Sequence, residues 1–414
     1  MNFEDRIQRR YRSQAGTQRV VDRAVLSPTT HLAEPTGRGP LLELVLDQLD
    51  PIFAGELPRD TYVWGERGTG KSAILAALVH HLDRHPRPLG QLIRTTAGTH
   101  SPPVPELVYV DTHRTASGFE FYATVLDRLT DEPAPQRAVG IEAVREELDA
   151  VLAERPVVPI VDHLTASRHV TPERVATLFD RLTADVGWVG VGRSPPAALD
   201  WTPPAAIEFT PYETSTLVDV LMTRADDALG QHALGHEHAQ RLAEWADGDA
   251  NDALAALFVA ADAALRAESE QIEDTHITTG IADVPTQAVS LTRVFALSAD
   301  CLSVLRELVA LDPDRHPTVD AAAAAIADRD PIDLSTRTVR RFLRELATDG
   351  VLERTRSSGE SQAGTPPELL EPRFSPILFK RLYDHTRSPG ETTAASQSDG
   401  SITATAPSRT ESER

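Results

Sequence analysis

The chain has 414 residues, a formal net charge of -21 and one cysteine, Cys301. One cysteine excludes a disulfide framework or a multi-thiolate metal centre within one chain. Spread along the chain, the acidic charge says less than usual about nucleic acid, and any DNA-binding face must be a local exception. No apolar run reaches membrane-span length and the N-terminus has no signal-peptide core, so a cytoplasmic protein without a membrane partner is expected. The acids are spread along the chain, and lysine occurs only at Lys71 and Lys380. That bias fits a halophilic proteome, or else an acidic surface shaped by function.

Residues 1–24 form an Arg-rich leader with Arg6, Arg9, Arg10, Arg12, Arg19 and Arg23, either a DNA-contacting arm or a loosely docked segment. Leu41 to Leu49 carries apolar residues at helical spacing and Pro51 ends it. Thr61 to Trp64 reads as a short buried strand. It runs into Gly65-Glu66-Arg67-Gly68-Thr69-Gly70-Lys71-Ser72, which fits the phosphate-loop pattern G-x-x-x-x-G-K-[ST], and a helix follows over Ala73 to Leu82. Backbone N–H groups of such a loop cradle phosphates, the lysine reaches the outer phosphates, and Ser72 Oγ is placed for Mg²⁺. The other reading, a glycine-rich turn before a helix, does not explain the complete spacing.

Leu107 to Asp111 and Pro156 to Asp162 read as further buried parallel strands, each ending in an acid. Asp162 is placed to help hold Mg²⁺, or is an ordinary strand-end acid. Pro159 is awkward for a central strand because it cannot donate to the ladder. Helices are expected over Phe119 to Leu129, Gly140 to Ala153 and Val170 to Asp180. Strands follow at Val186 to Gly192 and Ala206 to Phe209. About five apolar strands separated by helices predict a doubly wound α/β domain over 25–210.

From Tyr212 the texture turns helical, with Thr216 to Leu229, His236 to Asp247 and Asp249 to Ala267 making a small lid-like domain over 211–289. His232, His236 and His238 lie close in sequence, but His236 and His238 do not share a helical face, so a metal there is disfavoured. Residues 290–387 predict helices at Thr292 to Leu311, Val319 to Ala327 and Thr336 to Asp349. A two-stranded wing and a closing helix follow, which is a winged-helix pattern. Ser335 or Thr336 caps the third helix and Gly350 stops it. Val339, Phe342, Leu343 and Leu346 form its buried stripe. Arg337, Arg340, Arg341 and Arg344 face away from that stripe, with Arg354 and Arg356 at the wing base. These are the candidate DNA-binding residues, or solvated arginines on a protein-docking winged helix. The tail, 388–414, is Ser/Thr-rich and expected to be disordered.

The order of these parts resembles the archaeal origin-recognition and cell-division-control replication initiators, which are AAA+ ATPases. Leu26-Ser27-Pro28 with Val45 to Phe53, the phosphate loop, Phe209 to Tyr212 followed by Leu217, Leu221 and Arg224, Gly248-Asp249-Ala250, and the winged helix carry the resemblance over about residues 20–385. It implies an AAA+ P-loop core, a helical lid and a C-terminal winged helix. It also implies ATP or ADP with Mg²⁺ as cofactors, Tyr212 and Arg224 at the nucleotide, double-stranded DNA as partner, and replication proteins or a related initiator paralogue beside it. Departures stand out. The family's Asp-Glu pair is here Asp162-His163, leaving Asp162 and His163 as the candidate catalytic residues. The polar sensor region reads Gly192-Arg193-Ser194, the lid position of the usual arginine is Asn251, and no arginine occurs over 194–223. The resemblance is therefore to a diverged paralogue that binds ATP with slow or absent hydrolysis. The competing class is a signal-transducing ATPase switch whose winged helix binds protein. A metabolic phosphate-loop kinase would leave the helical remainder without a role.

Overall fold

In a computed structural model the described residues are 22–84, 104–130 apart from 114 and 116, 140–164, 170–285, 288–312, 318–330, 332–356, 368–387 and 401–402. The Arg-rich leader up to residue 21, the wing loop 357–367 and nearly all of the tail lie outside them. The chain divides into two compact units. One comprises 30–216 with the last residues from 399, the other 1–29 with 217–398.

The first unit holds β1 (His31–Leu32), α2 (Gly39–Leu49), β2 (Thr61–Trp64), α3 (Lys71–Arg84), β3 (Glu106–Asp111), α4 (Gly118–Leu129), α5 (Ile141–Glu154), β4 (Val157–Leu164), α6 (Pro172–Phe179), β5 (Val189–Gly192) and β6 (Ala205–Glu208). Five strands make one parallel sheet in the order β3-β4-β5-β2-β6. One apolar layer packs Phe121, Val125, Val144, Leu148, Val175 and Trp188 together. A second joins Val45, Leu49 and Ile74 to Val63, Ile160 and Val191 of the strands. Both faces of the sheet are therefore covered, which is why its strands read as continuous apolar runs rather than alternating ones. β5 is shorter than the expected Val186 to Gly192, because Gly187 lies against the Pro58 carbonyl outside the ladder. Pro159 is tolerated in β4 because pairing with β5 starts only at Ile160.

β4 carries an irregularity in its pairing with β5. Val161 pairs with Gly190 and Leu164 with Gly192, so three steps on β4 match two on β5. The extra residue is a β-bulge at Asp162-His163, and His163 takes the left-handed conformation with φ 69°.

The second unit starts with α1 (Arg23–Leu26) and continues through α7 (Thr214–Leu229), whose first turn falls at the division. It then holds α8 (His236–Ala246), α9 (Ala250–Arg266), α10 (Asp274–Asp283), α11 (Leu291–Phe295), α12 (Ala299–Val309), α13 (Val319–Ala327), α14 (Thr336–Thr348), β7 (Leu352–Arg356), β8 (Glu368–Pro372) and α15 (Pro376–Arg387). The helix α10 has no counterpart in the expected elements. The expected boundary at 289/290 falls inside this unit, where Arg381 of α15 pairs with the buried Asp262 of α9 at 3.2 Å. Ser375 hydrogen-bonds Asp283 at the start of α15. Residues 22–29 also pack here, with Asp22 N–H donating to the Ala228 carbonyl at 3.1 Å.

α14 is built as its sequence demands. Ser335 Oγ accepts from Thr338 N–H at 3.2 Å, and Gly350 follows the C-cap with φ 70°. Val339, Leu343 and Leu346 are buried, but Phe342 is half-exposed at the edge of the stripe, with Arg341 over its ring. β7 and β8 pair antiparallel from Leu352↔Pro372 to Arg356↔Glu368, giving the wing.

Candidate nucleotide site and candidate DNA-binding helix

The phosphate loop links β2 to α3, as its flanks predict. Lys71 begins α3 and is buried. Its ammonium donates to the Gly65 carbonyl at 2.8 Å, the Glu66 carbonyl at 2.6 Å and Thr69 Oγ1 at 3.0 Å. Thr69 in turn donates to the Glu66 carbonyl at 3.0 Å. The chain thus places a positive charge inside its own loop. Gly70 has φ 87°, and a Cβ there would lie 2.6 Å from the Tyr212 hydroxyl, so only glycine lets the loop pass under that ring.

Tyr212 is therefore beside the phosphate loop. Arg38, which the motifs do not flag, lies 3.5 Å over the Tyr212 ring and donates to the Thr210 carbonyl at 2.8 Å. Arg38 is buried, and its Nε has no hydrogen-bond partner among the described residues. A buried unpartnered guanidinium N–H next to a phosphate loop suits an anionic ligand. The only local sign of it is an arginine between Gly37 and Gly39 at the head of an amphipathic helix. Arg224, expected at the nucleotide, is also buried and donates to the Val25 carbonyl at 2.5 Å. Asn251 lies in the first turn of α9, where its N–H is capped by Asp249 at 2.8 Å.

Asp162 sits at the carboxyl end of β4, nearly fully buried. It accepts from the Tyr109 hydroxyl, from the His163 N–H at 2.5 Å and from the Ser72 hydroxyl. Burial opposes its charge, but the nearby His163 and the Ser72 and Tyr109 hydrogen bonds outweigh that and hold its pKa below the usual carboxylate value. Burial, then Asp162, pushes Tyr109 well above the usual phenol range, so it stays a donor. The Ser72–Asp162 pair offers hard oxygen donors of the kind Mg²⁺ takes.

The bulge turns His163 toward the neighbouring strand. His163 Nδ1 lies 3.0 Å from Asp111 Oδ1, and His113 Nδ1 lies 2.9 Å from the same oxygen. The two imidazole rings are 3.6 Å apart, centroid to centroid. Burial opposes the Asp111 charge, yet the hydrogen bonds from His113 and His163 hold its pKa far below the usual range. Burial lowers His163 too, but the carboxylates of Asp162 and Asp111 raise it on balance, while burial lowers His113. Asp111 and His113 were not expected at the site. The sequence sign would have been an acid at a strand end with histidine two residues on, opposite the Asp162-His163 strand end. Among the described residues, His232, His236 and His238 join no three-residue cluster of metal-ligand type, although His238 lies 3.4 Å from Asp274.

On α14 the four arginines separate. Arg337, Arg341 and Arg344 are exposed, clustered within roughly 60° of one another opposite the buried stripe. Arg340 lies nearer the α13 flank and its Nε is 2.7 Å from Asp320. It is not part of an open row of four. Arg341 Nε is 3.8 Å from Glu345, an exposed and weak pair. Arg354 is exposed on β7, and the Arg356 side chain lies outside the described residues. No helix among the described residues is long and apolar enough to cross a membrane.

Residues 34–189 match the AAA ATPase domain family. Among curated proteins, the chain is 27% identical to ORC1-type DNA replication protein 1 of Aeropyrum pernix, over 67% of this chain and 71% of that protein. It is 22% identical to the ORC1-type DNA replication protein of Thermococcus onnurineus, over 55% of this chain and 57% of that protein. The matched segment thus spans little more than half the length of the Thermococcus relative. Among solved structures, the Aeropyrum pernix ORC1 protein in complex with DNA superposes with TM-score 0.55 at 20% identity, covering 88% of this chain and 96% of that one. Cdc6p from Pyrobaculum aerophilum superposes with TM-score 0.53 at 18% identity, covering 89% and 100%. The fold is that of an AAA+ P-loop core with a parallel sheet and helical regions, continued by winged-helix-like C-terminal elements.

Proposed function

We propose that this AAA+ chain is an ATP-binding, DNA-binding protein of the origin-recognition type that hydrolyses ATP slowly. The observation that carries the proposal is the cluster of Arg337, Arg341 and Arg344, exposed on a capped helix that leads into a two-stranded wing. In a chain of charge -21 such a face is a local exception. The helix would enter a groove of duplex DNA, some arginines reaching phosphates and others base edges, with Arg354 adding a contact from the wing. The relatives' names support the same reading.

Nucleotide binding rests on the phosphate loop. Lys71 supplies a buried positive charge already centred by the Gly65 and Glu66 carbonyls, and Tyr212 with Arg38 walls the loop. Ser72 and Asp162 are the pair that would hold Mg²⁺, which when bound would neutralise phosphate charge. Slow turnover rests on His163. Its Nδ1 is occupied by Asp111, and the bulge fixes its backbone where a family glutamate would stand free to polarise water. Arg224, buried on the Val25 carbonyl, remains a proposed nucleotide residue only through the resemblance. A halophilic setting would suit the acidic surface.

One observation favours a second reading, a switch whose winged helix docks a protein: Arg340 is paired with Asp320, and Arg341 leans toward Glu345. Duplex-DNA binding by wild type and by the Arg337→Ala/Arg341→Ala/Arg344→Ala variant, across a potassium series with and without ATP, separates the two. The DNA reading expects weaker binding and a flatter salt slope in the variant. Overlaid curves would transfer the helix to the protein-docking reading.

A further inference from the structure

We propose that Asp111, His113 and His163 form a binding site for a divalent transition-metal ion of the zinc class. Three donor atoms come from the carboxyl ends of two adjacent strands. The β3–β4 pairing ends at Asp111↔Asp162, and the bulge in β4 adds His163 one residue on. His113 folds back from two residues beyond β3. Each of Asp111, His113 and His163 offers a ligand atom within 4.8 Å of those of the other two, and Asp111 Oδ1 lies 2.9 and 3.0 Å from His113 Nδ1 and His163 Nδ1. A tetrahedral ion with bonds of about 2.05 Å needs donor separations of about 3.3 Å, so the two oxygen–nitrogen separations have to open by a few tenths of an ångström to admit it.

Three nitrogens converge on Asp111 Oδ1, the His113 backbone N–H and both imidazole Nδ1 atoms. The two imidazoles are tilted at 35° with centroids 3.6 Å apart, and both Nδ1 atoms lie at one oxygen. His163 reaches that place only by adopting φ 69°, which non-glycine residues avoid at a cost of about 1 kcal/mol or more. The Asp162-His163 bulge and the Thr112 hydroxyl, which donates to the Asp162 carbonyl at 2.7 Å, hold both strand ends in position. A cation between the three donors gives this arrangement a purpose.

The chemistry of the set selects the ion. Two imidazole nitrogens and one carboxylate suit Zn²⁺, Co²⁺ or Ni²⁺, whereas Mg²⁺ prefers oxygen and matches Ser72 and Asp162 instead. The side chains of Asp111, His113 and His163 are 30%, 11% and 23% exposed, so an ion can reach the cluster from solvent. Occupancy would pin His163, whose N–H is already bonded to Asp162.

The test uses the full chain without nucleotide, so that its outcome does not depend on ATP binding. After dialysis against chelator, Co²⁺ is titrated and its visible absorption followed, then Zn²⁺ is added in competition. The expected result is one equivalent of Co²⁺ bound, displaced by Zn²⁺ and unaffected by excess Mg²⁺. His113→Ala and Asp111→Asn should each weaken binding about tenfold or more, with circular dichroism melts reporting whether each variant folds. If one fails to fold, the other and His113→Gln decide. No Co²⁺ spectrum, displacement by Mg²⁺, or equal affinity in wild type and folded variants would overturn the site.

Discussion

Single side chains set the chemistry at the loop and the lid. Lys71 is a cation that the phosphate loop itself centres, so Lys71→Ala should reduce ATP affinity about 10- to 100-fold, the loss of one charge-assisted hydrogen bond. Calorimetric titration of both proteins checks it, and equal affinities would remove the loop from the nucleotide reading. His163 tests the turnover proposal. Wild type should hydrolyse ATP well below about 1 s⁻¹ and His163→Glu should be faster, because a carboxylate there would be free of Asp111. A wild-type rate in the ordinary enzyme range would show that the histidine is no handicap. Asp283 gives a stability prediction. Burial pushes it up to about 6, although the Ser375 hydroxyl and the Ile377 N–H act to lower it. The folded chain therefore keeps a proton that the unfolded carboxyl releases near ~3.9. This contribution is complete below that lower value, fades as pH rises through about 6, and amounts to roughly 2–3 kcal/mol. Asp283→Asn lacks it, so wild type should lose stability relative to the variant between about pH 4 and pH 7. Melting curves at both ends of that window measure the difference, and a pH-independent gap would contradict the assignment.

At the level of elements, α14 shows how a helix separates an apolar face from a charged one. Its apolar positions recur at helical spacing and bury Val339, Leu343 and Leu346, which forces Arg337, Arg341 and Arg344 outward. Arg340, one step nearer α13, is captured by Asp320 instead. In DNA titrations Arg340→Ala should therefore change affinity and salt slope less than Arg344→Ala, for which the slope should fall by about 1 if it meets a phosphate. An Arg340 effect equal to the Arg344 effect would mean that the Asp320 pair opens on binding. The cap is separable from the charge: Ser335→Ala should cost about 1 kcal/mol of stability through the lost Thr338 N–H bond. β4 teaches the complementary lesson. Its bulge places a polar cluster near a strand end, where a regular strand would have left His163 facing elsewhere.

For the whole molecule, the charge of -21 is the dominant long-range term. Self-repulsion is screened as the Debye length shortens from about 10 Å at 0.1 M salt to about 3 Å at 1 M. The melting temperature should therefore rise with potassium chloride over that range, and a flat or falling series would contradict a salt-adapted surface. Much of the architecture was legible beforehand because it is written in contiguous signals. The eight-residue loop between strand and helix, the apolar strand runs, the Ser335 cap, the α14 stripe and the wing order all depend on neighbours within a few residues. Phe342 at the stripe edge, the shortened β5 and the unforeseen α10 were smaller misses, where packing overrode local pattern. The sequence by itself determined the P-loop core and the helix–hairpin order, since periodicity and a complete motif encode them locally. Only the tertiary structure brought Arg38 onto Tyr212 and His163 onto Asp111 and His113, and drew Arg340 to Asp320. Strand register, an inserted residue in one ladder and contacts between residues 20 to 174 positions apart fix those partners, and no local spacing records them.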